Sequence, residues 1–305
     1  MYAPTQVIFL CGGPTQPADG ASRPESLRDA FQRIRHRKEI NKYRIRLAEE
    51  VIPFFPNADY RDLLNFESDI AQICELIMLF SESYGSLCEL GAFAMDPEIS
   101  RKMLTIISRH NYDQRSFVRL GPIQMLIDKF GQSSVYVLND PYLGINYPNR
   151  IQDIDLDRFF AAMVNAIDER APDPSRPSTA HSEHSTFNKT RPGHIIKLIT
   201  GIIQHYGSMT PEEIDLILYF LNVQIKTPDL NNYLMCAQFV DWVRSDPAGT
   251  RVLYSARPGN SAISYETRKP FSPGSKVRWR VDVREYWKVN DPERFHFTQK
   301  AFTDV

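Results

Sequence analysis

Apolar and polar positions alternate along the first half of the chain in a strand–helix rhythm. Residues 6–11 form a short apolar run closed by Gly12-Gly13-Pro14, which predicts a strand entering a tight turn. Residues 51–55, 76–80, 103–107 and 134–138 are the other strand candidates. Between them, Leu27, Ala30, Phe31 and Ile34 recur at helical spacing within residues 24–50, with Arg and Lys on the opposite face. Residues 66–75 predict a short helix, a further helix opens at Ser86, and residues 115–130 predict one interrupted at Gly121-Pro122. Residues 159–170 close the series. Strands alternating with helices predict an α/β fold with a flavodoxin- or Rossmann-like parallel sheet, and the order is expected to be 2-1-3-4-5.

The pattern then changes. Residues 171–193 hold few large apolar side chains and many Pro, Ser and Thr, too little to offset the cost of ordering the chain, and predict a linker. His181 and His184 within it have a spacing a metal could use, but no second ligand pair accompanies them, so no metal site is expected. Beyond it, residues 195–206 are amphipathic, and Thr210-Pro211-Glu212-Glu213 opens a helix running to about residue 223. Residues 230–243 predict a third helix, and residues 252–254, 262–265 and 276–283 read as strands. Three helices before a strand ribbon predict a winged helix-turn-helix. The expected division is a catalytic domain over 1–170, a linker over 171–193 and a winged-helix domain over 194–305.

Composition narrows the classes. With 36 Lys and Arg against 37 Asp and Glu, the net charge is -1, so any polyanion contact must come from a local patch. Cys11, Cys74 and Cys88 lie in or beside apolar runs and read as small buried hydrophobes; Cys236 has no close partner in sequence. No charged-then-apolar leader opens the sequence and no apolar run approaches a bilayer span, so a soluble, cytoplasmic protein is expected.

The chemistry concentrates at Leu79-Phe80-Ser81-Glu82-Ser83-Tyr84-Gly85-Ser86-Leu87-Cys88-Glu89-Leu90-Gly91-Ala92-Phe93. A strand, a small polar loop and a helix place Glu89 at the C-terminal edge of a sheet, where open α/β folds bind ligands. One reading is a capping box, with Ser86 accepting from the Glu89 amide and Glu89 reaching back to the Ser86 amide. The other is a nucleophile: a carboxylate held ionised at a helix N-terminus can attack an anomeric carbon. Ser83, Gly85 and Ser86 are then candidates for phosphate or ribose contacts, and Gly12 and Gly13 for close backbone approach to a ligand. Glu82 is a candidate catalytic partner, holding a proton for the leaving base. Asp59, Glu67 and Asp69 are further carboxylates for substrate hydroxyls, although Glu67 and Asp69 also suit the opening of a helix.

At these residues the chain resembles the nucleoside deoxyribosyltransferase superfamily, whose nucleophilic Glu opens a Glu-Leu-Gly-hydrophobic motif, here Glu89-Leu90-Gly91-Ala92-Phe93. The resemblance is closer to the deoxyribosyltransferase-like effectors of bacterial retrons. It is carried by residues 80–93, by Ile8-Phe9-Leu10-Cys11-Gly12-Gly13, and by Arg115-Ser116-Phe117 with Gly121-Pro122. It covers roughly residues 6–138. Ser81 and Tyr84 stand where that group usually has proline. The resemblance implies an N-glycosidase cleaving a nucleoside or nucleotide, with NAD a candidate substrate and no bound cofactor. It also implies an anti-phage toxin restrained by reverse transcriptase and its multicopy single-stranded DNA, an RNA–DNA hybrid, in an oligomeric complex without membrane contact.

From Arg251 to Lys288, nine basic residues face three acids, with Tyr254, Tyr265, Phe271, Trp279, Tyr286 and Trp287 interleaved. As a basic ribbon this would suit nucleic acid, with Arg268, Lys269, Lys276, Arg278 and Arg280 as contacts and Trp279 facing the core. Two other classes remain open: a deoxyribosyltransferase of nucleotide salvage, and a DNA-binding regulator whose Glu89 binds ribose without attacking it.

Overall fold

The computed structural model describes residues 1–16, 23–53, 59–145, 151–171, 186–265 and 276–303. In chain order the elements are β1 (Val7–Cys11), α1 (Leu27–Ile34), α2 (Lys38–Asn41), β2 (Arg44–Leu47), α3 (Leu63–Ile73), β3 (Leu76–Phe80), α4 (Tyr84–Met95), α5 (Pro97–Ser100), β4 (Met103–Ser108), α6 (Arg109–Asp113), α7 (Gln124–Phe130), β5 (Val135–Leu138) and α8 (Leu156–Arg170). They continue with α9 (Pro192–Tyr206), β6 (Ser208–Met209), α10 (Pro211–Phe220), α11 (Thr227–Phe239), β7 (Val243–Ala248), β8 (Arg251–Ala256), α12 (Lys276–Asn290) and α13 (Pro292–Thr303).

Two compact units result, and no single cut along the sequence separates them. A parallel-sheet unit contains Gln6–Glu49 and the chain from Cys74 through α8. A helix–ribbon unit contains Met1–Thr5, Glu50–Ile73 and the described residues from 186 onward, so α3 belongs to it.

The parallel-sheet unit has the order β2-β1-β3-β4-β5, every neighbouring pair parallel, as the strand–helix rhythm predicts. All residues of β1 and β3 are buried, the signature of strands covered on both faces. On one face Phe31 of α1, Phe80 of β3 and Phe159 of α8 pack in series, with ring centroids 6.0 and 6.3 Å apart. Of the strand expected at 51–55, residues 54 and 55 lie outside the described residues and 51–53 form no strand; β2 is Arg44–Leu47, and Val51 ends a 3-10 turn. Its four half-buried residues alternate Arg with Ile or Leu at a sheet edge, so its pattern merges into the basic run read as one long helix. That run is α1, the single turn α2, and β2. At Gly121-Pro122 the predicted interruption is a π-helical turn, Arg119–Ile123, which accommodates a residue without an N–H.

In the helix–ribbon unit, α9, β6, α10 and α11 precede the antiparallel β7–β8 hairpin, and β6 pairs with β8 to give the order β6-β8-β7. Thr210 caps α10 in a capping box with Glu213, and Pro211 occupies the first turn as predicted. The strands expected at 262–265 and 276–283 are absent; residues 276–283 lie in α12. Trp279, Val283 and Trp287 recur every four residues and turn inward, and this period overrides the two-residue alternation of Arg278, Arg280 and Asp282. Trp279 packs on His205, ring centroids 4.0 Å apart, and Trp287 donates from Nε1 to the Tyr206 carbonyl at 2.8 Å. Arg294 of α13 forks onto Glu213 at 2.8 and 3.0 Å and lies over the Trp287 ring. Among the described residues no helix is long and apolar enough to cross a membrane.

Candidate active site

The glutamate loop follows β3 directly. Ser81 donates its amide to Ile106 O at 2.9 Å, extending the β3–β4 ladder by one bond that proline cannot make. Ser83 is the N-cap of α4 and Tyr84 its first residue, so the helix starts two residues earlier than Ser86. The capping box is therefore Ser83 with Ser86, not Ser86 with Glu89: Ser86 N donates to Ser83 Oγ at 3.1 Å and Ser83 N to Ser86 Oγ at 3.0 Å. Glu89 falls in the second turn, where it caps nothing, and the helix dipole acts on it weakly.

What surrounds Glu89 comes from three other elements. The Cys11 thiol, at the end of β1, hydrogen-bonds its carboxyl, and Arg28 of α1 and Glu49 lie in its electrostatic field. Its Oε2 is buried and has no hydrogen-bond partner among the described residues. Burial pushes the Glu89 carboxyl up, the Cys11 thiol and the Arg28 charge draw it down, and Glu49 adds to the rise; the net direction is upward. Arg28 is itself fixed, donating from Nη1 and Nη2 to Glu49 at 2.5 and 2.9 Å and from Nε to Gly13 O at 2.6 Å.

Glu82 has the opposite character. Its Oε1 accepts from the Gly13 and Arg28 amides, both at 3.0 Å, and its Oε2 from the Leu27 amide at 2.7 Å. It thus closes the first turn of α1 and pins the β1 loop. Burial raises its pKa against the pull of these donors. The two glycines permit the close approach: a Cβ on Gly13 would lie 2.7 Å from Ser26 Cβ, and one on Gly12 2.9 Å from Arg28 Cβ. Ser83 Oγ donates to Gly12 O at 3.1 Å, tying α4 to the same loop. The Gly13 amide is thereby engaged by Glu82, while Gly85 is exposed beside the helix start.

The structure thus brings Gly12, Gly13, Glu82, Ser83, Gly85, Ser86 and Glu89 to one sheet edge. A cleft of about 150 Å³ opens at this edge, lined among others by Ser81, Glu82, Ser108, Asn111, Leu138 and Asp140; Glu89 does not line it. Asp59, Glu67 and Asp69 lie in the helix–ribbon unit. Neither Glu67 nor Asp69 opens its helix, because α3 begins at Leu63. Glu67 is buried, Asp69 accepts from Tyr60 Oη at 2.7 Å, and the Asp59 amide donates to Asn232 Oδ1. Of the expected nucleic-acid contacts, Arg268 and Lys269 lie outside the described residues, as do His181 and His184. Lys276 begins α12; Arg278 pairs with Asp282 on that helix, and Arg280 donates to Ser261 Oγ. Cys11, Cys74 and Cys236 are buried, but Cys88 is exposed on the outer side of α4.

Arg28, Glu49 and Cys11 were not legible as site residues. Each lies in a separate element, and the one local cue is that Cys11 ends the strand adjacent to β3, in register with Leu79.

Comparison with known proteins gives this site a context. Two Escherichia coli proteins match part of the chain: "Retron Ec86 putative ribosyltransferase/DNA-binding protein", 30% identical over 137 residues, and "Retron Ec73 putative ribosyltransferase/DNA-binding protein", 26% identical over 133 residues. The matches take in 42% and 43% of this chain and 39% and 40% of those proteins, so the chain matches about two fifths of the length of each relative. Over a longer stretch, residues 24–245 match the family described as STM3845 retron effector protein; this is well over half the chain, and the chain belongs to that family.

Proposed function

We propose that the protein is the toxic effector of a retron defence system and cleaves an N-glycosidic bond of a nucleoside or nucleotide, with Glu89 as nucleophile. One observation carries the reading: Glu89 is a half-buried carboxylate, released from helix capping, whose buried Oε2 has no hydrogen-bond partner among the described residues. An unsatisfied buried oxygen costs stability, and a fold retains it where a ligand completes the site. The ribosyltransferase label of the two relatives agrees with this chemistry.

In the proposed reaction a Glu89 oxygen bonds to the anomeric carbon while the C–N bond breaks and its electron pair passes to the base nitrogen. Water then attacks the same carbon, loses a proton to solvent, and frees the carboxylate. Arg28 and the Cys11 thiol oppose the protonation that burial favours at Glu89, and Glu82 fixes the β1 loop and the first turn of α1 beside it. Both Glu82 oxygens are engaged as acceptors of backbone N–H groups, so neither is placed to pass a proton to a leaving base. The site therefore suits a base that departs without being protonated, as the pyridinium of NAD does.

The helix–ribbon unit has the element order of a winged helix, α9-β6-α10-α11-β7-β8, and serves as the docking unit for the retron's reverse transcriptase and multicopy DNA. Expressing wild type and Glu89→Gln without the neighbouring genes tests the enzyme reading. Wild type is expected to arrest growth and, purified, to release free base from NAD or a nucleotide. The Gln variant should lose at least 1000-fold in rate, on the order of 4 kcal/mol of transition-state stabilisation, while melting no lower than wild type. Undiminished toxicity in the variant would refute the nucleophile.

A further inference from the structure

A winged helix conventionally reads duplex DNA with its third helix in the major groove, through Arg, Lys, Asn or Gln side chains. In this unit that helix is α11, and its base-reading side chains are already engaged by the chain itself. Asp59 binds both of its asparagines: the Asp59 amide donates to Asn232 Oδ1 at 3.0 Å, and Asn231 Nδ2 donates to Asp59 Oδ2 at 3.2 Å. Tyr60 lies 3.1 Å from Cys236 Sγ, and Phe66 of α3 meets Phe239 edge-on at 5.8 Å. Between Thr227 and Phe239 there is no Lys or Arg at all.

The preceding helix is the reverse. On α10, Leu216, Tyr219 and Phe220 follow at i, i+3 and i+4 and are 55%, 62% and 74% exposed; Leu221 continues the patch at 50%. Ile214 and Leu218 hold the opposite side in the core. The exposed apolar face is flanked by Glu212 and Asp215, and α10 carries no Lys or Arg. A contiguous aromatic and aliphatic patch marks a protein-binding surface, and its acidic border repels phosphates.

From this pairing of a cation-free α11, its asparagines engaged, with a bare, acid-flanked α10 we infer that the helix–ribbon unit grips a protein, through α10, and does not read a DNA groove. The occupant is a protein surface that is apolar at its centre and basic at its border, as a polyanion-binding protein offers beside its nucleic-acid groove. Within the complex proposed above, the reverse transcriptase has that chemistry, so this inference rests on the partner reading. It does not depend on Glu89.

The test compares Phe220→Asp and Asn231→Ala in the full chain, each with the reverse transcriptase–multicopy DNA complex and with the same DNA alone. Phe220→Asp should weaken binding to the complex at least tenfold, with unchanged melting and unchanged toxicity when expressed alone. Asn231→Ala should bind as wild type. Three results overturn the inference: wild-type binding by Phe220→Asp, a tenfold loss of binding to DNA alone in Asn231→Ala, or a wild-type dimer in sedimentation that Phe220→Asp dissolves. Failure of wild type to bind the complex would remove the partner reading and this one together, leaving the Glu89 experiment to stand on its own result.

Discussion

The two units differ in their buried carboxylates. At the edge of the parallel sheet, Glu89 Oε2 has no hydrogen-bond partner among the described residues, and the side chain takes opposing influences from Arg28 and Glu49. In the helix–ribbon unit three polar clusters close on themselves. Ser208 Oγ lies 2.5 and 2.9 Å from Ser255 Oγ and Thr298 Oγ1, Tyr60 bonds Asp69, and Arg294 forks onto Glu213. A carboxylate whose oxygens are all bonded holds the fold, and one left incomplete offers chemistry. Glu82, just before α4, and Glu89, in its second turn, show that division seven residues apart.

Removing Glu82 should have the largest structural effect, because it strands three amides at once. Glu82→Ala is expected to cost about 2–4 kcal/mol and to abolish activity with it, whereas Glu89→Gln costs no stability. A denaturant titration showing Glu82→Ala as stable as wild type would remove its structural role. A subtler effect should follow from Glu49→Gln. Glu49 raises the Glu89 pKa and also holds Arg28, so its neutralisation should shift the acid limb of the rate profile to lower pH at little cost in maximal rate. A limb that stays in place or moves upward would place Glu89 outside that electrostatic cluster.

The smallest effect belongs to the helix–ribbon unit. Burial pushes the Asp69 carboxyl up to about 6, against an ordinary value of 3.8. A carboxylate whose folded pKa is raised stabilises below its unfolded pKa and loses that contribution as pH rises through the folded one. Between about pH 4 and pH 6 the wild type should therefore lose stability, on the order of 1–3 kcal/mol, which Asp69→Asn should not lose. Parallel melting curves across that interval would contradict the assignment.

The sequence shows the parallel sheet well because β1, β3, β4 and β5 are continuous apolar runs ending in small polar loops. It hides β2, an edge strand whose half-buried arginines alternate with Ile and Leu, and α12, whose charges alternate while Trp279, Val283 and Trp287 keep a period of four. Glu89 was visible through its motif. Its true surroundings were not, because Cys11, Arg28 and Glu49 converge only in the fold. The role of Ser83 as helix cap was obscured by Ser86, which offers a second match to the same local pattern three residues later.

The discontinuous division of the chain has a mechanical side. Thr5 passes directly to Gln6 before β1, and Ile73 to Cys74 before β3, so the helix–ribbon unit is tethered to the starting ends of the two strands whose far ends carry Gly13 and Glu82. Trp242 anchors the first tether by donating from Nε1 to Thr5 Oγ1 at 3.0 Å. The chain therefore joins the two units covalently just ahead of β1 and β3, the strands that lead into the Glu82–Glu89 segment and its Gly12-Gly13 neighbour, as well as after α8.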